Sequence, residues 1–333
     1  MTGRWLRRTL GGALALVALV LIVLWLGLRA SLPTLDGEIV VAGIDDVVTI
    51  ARDADGIPVI TASNRYDLAY ATGYAHGQDR FFQMDLIRRK AAGELSELGG
   101  AAAINADRRY RFHRFRARAA AVFEAATEAD RRLMQSYAAG VNAGLNSLRA
   151  KPFEYFVLGS EPRAWNALDS LLAVYAMYMD LNDSRATKEI RRGMAHSVLP
   201  PEVYSWMYPQ GTSWDAPIMG APLEVPPIPS ADVYSIRDVP DDAPPANEQG
   251  RYPLRGSNNW AVSGALTANG RALVANDMHL GHRVPNIWYQ ARLRVLGPDG
   301  RDVTGVTLPG TPFVISGSNT QVAWGYTNSY GDW

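Results

Sequence analysis

Residues 216 to 250 are rich in proline, carry neither a helical nor a strand period, and divide the chain into two parts that read differently. Before them apolar residues recur mainly at helical spacing; after them the pattern is strand-like to the last residue. Proline withdraws a backbone donor and fixes φ, so neither a helix nor a central strand runs through such a stretch. A chain whose helices gather before a break and whose strands gather mainly after it is α+β, not an alternating α/β fold. A patternless run this long is a linker or a functional loop. Residues 216–256 therefore read as a spacer, which includes the acidic patch Asp238, Asp241 and Asp242.

Three short alternating runs, 38–43, 46–53 and 57–62, predict a small β-unit with turns at Gly43-Ile44-Asp45 and Asp55-Gly56. One helix is predicted from Arg65 to Leu98, stopped by Gly99-Gly100. Another follows the cap-like Thr127 and is marked by Leu133, Tyr137, Val141, Leu145 and Leu148. A third runs from Asp169, a plausible N-cap, to Met179. Beyond the spacer, strands are predicted at 258–264, 271–276, 286–296, 302–307 and 312–316.

The N-terminus carries Arg4, Arg7 and Arg8, then an uncharged apolar run from Leu10 to Leu28, then Arg29 and Ser31-Leu32-Pro33. A bilayer span takes about 17 to 25 residues, whereas the apolar part of a signal peptide has about 7 to 15. Residues 1–35 are thus expected to form an uncleaved transmembrane anchor. Basic residues ahead of the span keep the N-terminus cytoplasmic and export the body to the periplasmic or cell-surface side. The alternative is a buried core helix, against which the run is apolar on every face.

Lys plus Arg (33) balances Asp plus Glu (33), so net charge favours no nucleic-acid partner. Cysteine is absent, which excludes disulfides, thiolate catalysis and cysteine-based metal sites. No Gly-x-Ser-x-Gly elbow, His-Glu-x-x-His pair or phosphate loop occurs, and no organic cofactor is implied. What remains is Gly256-Ser257-Asn258 at the head of the strand region. A cut between Gly256 and Ser257 would free an α-amine beside the serine hydroxyl. With a reference pKa of about 7.7 to 8.0, such an amine is partly unprotonated near neutrality and can serve as the base. Spacing alone leaves the competing reading, an ordinary loop tripeptide, in place.

The stretches "GSNNWAVSG", "LVANDMHL" and "LPGTPFVISGSNTQVAWGYTNSYGD" resemble the penicillin acylase family of N-terminal nucleophile hydrolases. So do "DADGIPVITA", "ATGYAHGQDRFFQMDLIRRKAAGELSELGG", "YAAGVNAGL" and "EPRAWNALDSLL" in the first half. The resemblance covers nearly everything after residue 36. It implies an αββα sandwich, here partial, with residues 36–215 as the smaller (alpha) subunit region and 257–333 as the start of the larger (beta) subunit. It also implies self-cleavage before Ser257 and an alpha/beta heterodimer that hydrolyses small N-acyl amides, such as a beta-lactam side chain or an acyl-homoserine lactone.

On residues, the resemblance makes Ser257 the nucleophile and the backbone N–H of Asn328 an oxyanion donor. His279 falls where relatives carry a histidine that tunes the serine or positions the amine; by itself it also reads as a turn residue after Asn276-Asp277. Met179, Leu280 and Ser316 match acyl-pocket positions, and each also reads as ordinary core. Glu189 and Asp332 match two calcium positions, and both also read as surface carboxylates. Because the family runs further than residue 333, these residues alone are expected to be inactive. Two other classes compete: a truncated, inactive homologue acting as an anchored binding or scaffold protein, and an uncut serine hydrolase using Ser257, His279 and Asp277.

Overall fold

A computed structural model describes residues 2–182, 186–215, 217, 219–235, 237, 257–298 and 300–328. Two compact units emerge, one built from residues 1–178 and 255–333 and the other from 179–254. The first contains helices α1 (Thr2–Ala30), α2 (Arg65–Ala92), α3 (Ser96–Gly99), α4 (Ile104–Arg111), α5 (Phe115–Ala125), α6 (Glu128–Asn146), α7 (Phe153–Val157) and most of α8 (Ala167–Leu181). Its strands are β1 (Thr49–Arg52), β2 (Pro58–Ala62), β3 (Ser257–Val262), β4 (Leu273–Met278), β5 (Tyr289–Val295), β6 (Arg301–Thr307), β7 (Val314–Ser318) and β8 (Ala323–Trp324). The fold is mixed α and β, with a six-stranded sheet ordered β1-β2-β5-β6-β7-β8 and a separate β3-β4 pair.

Helix α2 is the centre of this unit. Asn64 caps it by accepting from Tyr66 and Asp67 N–H at 2.9 Å. It ends at Gly93, not at Leu98 as the periodicity suggests, because Gly93 adopts φ 67° and closes the last turn through its N–H to Lys90 O. One face of α2 packs against α6 around Phe81, Met84, Leu133, Tyr137 and Val141. That contact is a backbone approach. A Cβ on Gly140 would lie 1.8 Å from Tyr70 O, and one on Gly73 2.2 Å from Tyr137 O. Gly77 and Gly144 repeat the fit one turn further along each helix. A glycine inside a helix costs about 1 kcal/mol relative to alanine, and here close packing of two helices offsets it. The other face of α2 covers the sheet through Ala71 and Ala75 against Ile60, Tyr289, Ala291 and Leu293.

Thr127 caps α6 as expected, accepting from Asp130 N–H. Helix α8 starts two residues earlier than its sequence suggests. Asn166 Oδ1 accepts from Leu168 N–H at 3.0 Å, and Asp169 Oδ2 reaches back to Asn166 N–H at 2.8 Å. Asp169 is thus the third-position partner of a reciprocal cap and not the cap itself.

The strand expected at 38–43 does not form. Ile39 and Val40 are exposed, and no strand among the described residues pairs with them, so alternation alone cannot make a strand there. Nor is the N-terminal β-unit separate. Strand β2 runs parallel to β5, with Ile60 opposite Leu293, which inserts the β1–β2 hairpin into the sheet made by the C-terminal strands. Helix α1 holds the apolar segment Arg8–Ala30, of mean hydropathy 2.6, with none of its span buried. By length and composition it is long enough to cross a membrane.

Buried polar groups tie the helices to the sheet. Gly310 N–H donates to Tyr137 OH at 2.9 Å, and Thr307 Oγ1 donates to Tyr289 O at 2.9 Å. With the Thr307 hydrogen used, Thr307 Oγ1 accepts from His76 Nε2–H at 2.9 Å, and Tyr137 donates to His76 Nδ1 at 2.7 Å. Every partner is satisfied by one neutral tautomer. Burial, reinforced by Arg80, lowers the His76 pKa to about 3. An ionic network lies across α2, α7 and α8. Asp85 accepts from Arg88, Arg89 and Tyr155. Arg88 also donates to Asp169 at 2.6 Å and to the Ala164 and Arg163 carbonyls.

In the second unit, α9 (Thr187–Val198) is followed by α10 (Pro201–Met207), and the His196 ring meets Tyr204 edge-on at 4.9 Å. Residues 238–256 of the spacer lie outside the described residues, as does Gly256 of the expected cleavage junction.

Candidate active site

Ser257 opens β3, and β3 pairs antiparallel with β4 in the register Ser257↔Met278, Asn258↔Asp277, Asn259↔Asn276 and Trp260↔Ala275. Side chains directly opposite one another share a face, and neighbours along a strand alternate. Ser257, Asn259, Asn276 and Met278 therefore stand on one face; Asn258, Trp260 and Asp277 stand on the other. Trp260 is 56% exposed.

The serine face meets the chain that follows β8. Asn259 Nδ2 donates to Gly325 O at 2.7 Å. Asn276 forms a reciprocal pair with Tyr326, donating from Nδ2 to Tyr326 O at 2.9 Å and accepting from Tyr326 N–H at Oδ1 at 3.3 Å. The same Nδ2 also donates to Asn258 O at 3.2 Å. Asn276 thus links the peptide next to Ser257 to a segment two residues before Asn328. Within the six-stranded sheet, the Ser316 hydroxyl in β7 donates to Trp324 O in the adjoining β8 at 3.1 Å.

His279 follows the end of β4. Its Nε2 lies 3.1 Å from Asp277 Oδ2, and both side chains are exposed. Asp277 belongs to the face opposite Ser257, so this pair is not aligned along the serine face as an uncut triad needs. Leu280 is half-buried in the turn after β4, where its N–H donates to Met278 O. Met179 is buried near the end of α8 and belongs to the second unit. Glu189 is exposed in the first turn of α9, and Asp332 lies outside the described residues. Among the described residues no group of three or more histidines and carboxylates comes together.

Asn259 and Asn276 were not legible as site residues in the sequence. Asparagine is depleted from strands, and two of them inside strand patterns are a signal in hindsight. Their common face becomes visible only once the β3–β4 register is known.

A family model described as penicillin amidase matches residues 47–333. Penicillin acylase 2 proenzyme of Pseudomonas sp. (strain SE83) is 33% identical over 92% of this chain and 39% of its own length. The acyl-homoserine lactone acylase QuiP of Pseudomonas fluorescens (strain Pf0-1) is 26% identical over 91% of this chain and 37% of its own. A solved thermostable penicillin G acylase from Alcaligenes faecalis matches 53% of this chain and 98% of its own at 25% identity and a TM-score of 0.44. The chain belongs to the penicillin amidase family. It spans about two fifths of the length of the two curated relatives it matches.

Proposed function

We propose that this chain belongs to the precursor of an acylase-type amidohydrolase whose nucleophile is Ser257, unmasked by cleavage of the Gly256–Ser257 peptide bond. The observation that carries this reading is the position of Ser257 at the first residue of β3, on the face against which the Gly325–Tyr326 backbone is held. A residue at the start of a strand keeps its pairing when the bond before it is cut, so maturation need not disturb the β3–β4 pair.

Once free, the Ser257 α-amine removes the hydroxyl proton as Oγ attacks the carbonyl carbon of an N-acyl amide. The backbone N–H of Asn328 donates to the tetrahedral oxyanion. The amine passes its proton to the leaving nitrogen, the C–N bond breaks, and an acyl-serine ester remains. Water then attacks that ester with the same amine as base, releasing the acid and restoring the serine. The proposed substrates are beta-lactam side-chain amides or acyl-homoserine lactones, a reading supported by the similarity to proteins named penicillin acylase 2 proenzyme and acyl-homoserine lactone acylase.

Met179, Leu280 and Ser316 are proposed to line the acyl pocket, and His279 to tune the serine or position its amine. Residues 36–215 and those from 257 onward form the two subunits after the 216–256 spacer is cut, and α1 anchors the body on the extracytoplasmic side. Glu189 and Asp332 as calcium ligands rest on the family resemblance, and no step passes through that ion.

Intact-mass analysis and N-terminal sequencing of the protein from its complete reading frame test the reading. Wild type is expected to yield two chains, one beginning Ser-Asn-Asn-Trp, and Ser257→Ala a single uncut chain without amidase activity. A single chain in both would leave an inactive, anchored homologue.

A further inference from the structure

We infer that Asn276, assisted by Asn259, is the positioning residue that sets the oxyanion segment against the nucleophile. The inference rests on the roles of Ser257 and Asn328 proposed above and adds a residue to that site. The β3–β4 pair and the six-stranded sheet share no strand pairing among the described residues. At the serine face, side chains take its place. Asn276 presents a donor and an acceptor to Tyr326 as a neighbouring strand's backbone would, while also donating to Asn258 O. Asn259, its cross-strand partner, holds Gly325 O.

The geometry is tight from the other side as well. A Cβ on Gly325 would stand 2.7 Å from Asn276 Cβ and Cγ and 2.9 Å from its Oδ1. Position 325 therefore accepts only glycine while Asn276 keeps this rotamer. Only Thr327 separates Tyr326 from Asn328, so the direction of the Asn328 N–H follows from how the Tyr326 peptide is held. An oxyanion donor acts only where it lies about 2.7 to 3.1 Å from the developing charge, and a misplacement of about 1 Å can cost about 100-fold in rate.

Asn276→Asp is the sharpest variant. It is isosteric and keeps an acceptor for Tyr326 N–H, but it faces the Tyr326 and Asn258 carbonyls with oxygen instead of N–H. Gly325→Ala attacks the same contact through a different residue, and Asn259→Ala removes a single bond. Kinetics are measured on the full-length protein with a chromogenic N-acyl amide, normalised to the matured fraction by active-site titration. Amide hydrogen exchange is followed over residues 323–328.

For Asn276→Asp and Gly325→Ala we expect kcat to fall about 10- to 100-fold with KM within about threefold. Exchange at Tyr326 should quicken about tenfold, and Asn259→Ala should show a smaller change in the same direction. Unchanged exchange at Tyr326 in both Asn276→Asp and Gly325→Ala overturns the inference whether or not the protein hydrolyses amides. Faster exchange with unaltered kcat also overturns it, because the tie would then be structural only. If wild type neither matures nor hydrolyses while exchange still responds, the tie stands and the hydrolase reading is what fails.

Discussion

The α2–α6 region and the β3–β4 hairpin both join separate pieces of the chain through polar groups, but they do so in opposite surroundings. Around α2 the polar groups are sealed. His76, Tyr137 and Thr307 are buried, Arg88 is fully inaccessible, and all their partners are protein atoms. Around β3 and β4 the joining groups are the exposed Asn259 and the half-buried Asn276, whose bonds lie in reach of water. Even the device is shared. Asn142 pairs reciprocally with Trp165, donating to its carbonyl at 2.9 Å and accepting from its N–H at 2.7 Å, as Asn276 pairs with Tyr326. Where water is excluded, an unmatched partner cannot be rehydrated, so the first region holds the fold together. Where water is admitted, such a bond contributes little stability and chiefly sets direction. The chemistry proposed for Ser257 therefore sits on the weakly stabilised region.

Breaking the buried region should give the largest effect. Arg88→Ala leaves Asp85 and Asp169 facing each other's surroundings without their shared guanidinium, a loss expected to cost about 3 to 5 kcal/mol. Denaturant unfolding of the full-length protein measures it. A loss under about 1 kcal/mol would mean that the pair is open to water and that the contrast between the regions is false.

An intermediate effect concerns pH. The folded pKa of His76 lies near 3, below the ordinary 6.5, because the ring is buried and Arg80 is close. Above about pH 6.5 both folded and unfolded forms are neutral, and His76 contributes no pH dependence. As pH falls below that value the unfolded chain takes up a proton that the folded chain refuses, so stability declines until the pH approaches 3. The slope is roughly 1 kcal/mol per pH unit. Carboxylates add their own acid dependence, so the comparison is with His76→Gln, whose stability should fall less steeply between pH 6.5 and pH 4. Parallel slopes would show that His76 is protonated in the fold.

The smallest effect belongs to the hairpin. Trp260 lies on the exposed face of β3, and Trp260→Thr keeps a strand former there. Its stability change should stay within about 0.5 kcal/mol, read as a thermal midpoint. A larger loss would show that this face is covered in the folded protein and would narrow the contrast.

Much of this architecture was legible in the residues. Thr127 and the spacing after it located α6, and the alternations beyond 257 located β3 to β7 within a few residues. The misplaced features share a cause. Val40 alternates with its neighbours but has no partner, while Gly93 ends a helix whose apolar spacing runs on. Local pattern states a preference, and a neighbour or a backbone angle decides whether it is met. The residues with site chemistry divide in the same way. Ser257 stood out because Gly-Ser-Asn begins a strand pattern after the spacer, whereas Asn276 was one more polar residue before a turn.

By itself, then, the sequence determined the family, the separation of a helical part from a strand part, the apolar N-terminal helix and the serine at the head of β3. Those are local properties: period, composition and contiguous motif survive without knowledge of what lies across space. Only the tertiary structure decided that β2 joins β5, that His76 serves the sheet from inside α2, and that Asn276 holds Tyr326. Each joins residues at least 50 positions apart. Such pairings are selected by register and by the closing of every buried donor on an acceptor, which no single stretch of chain contains.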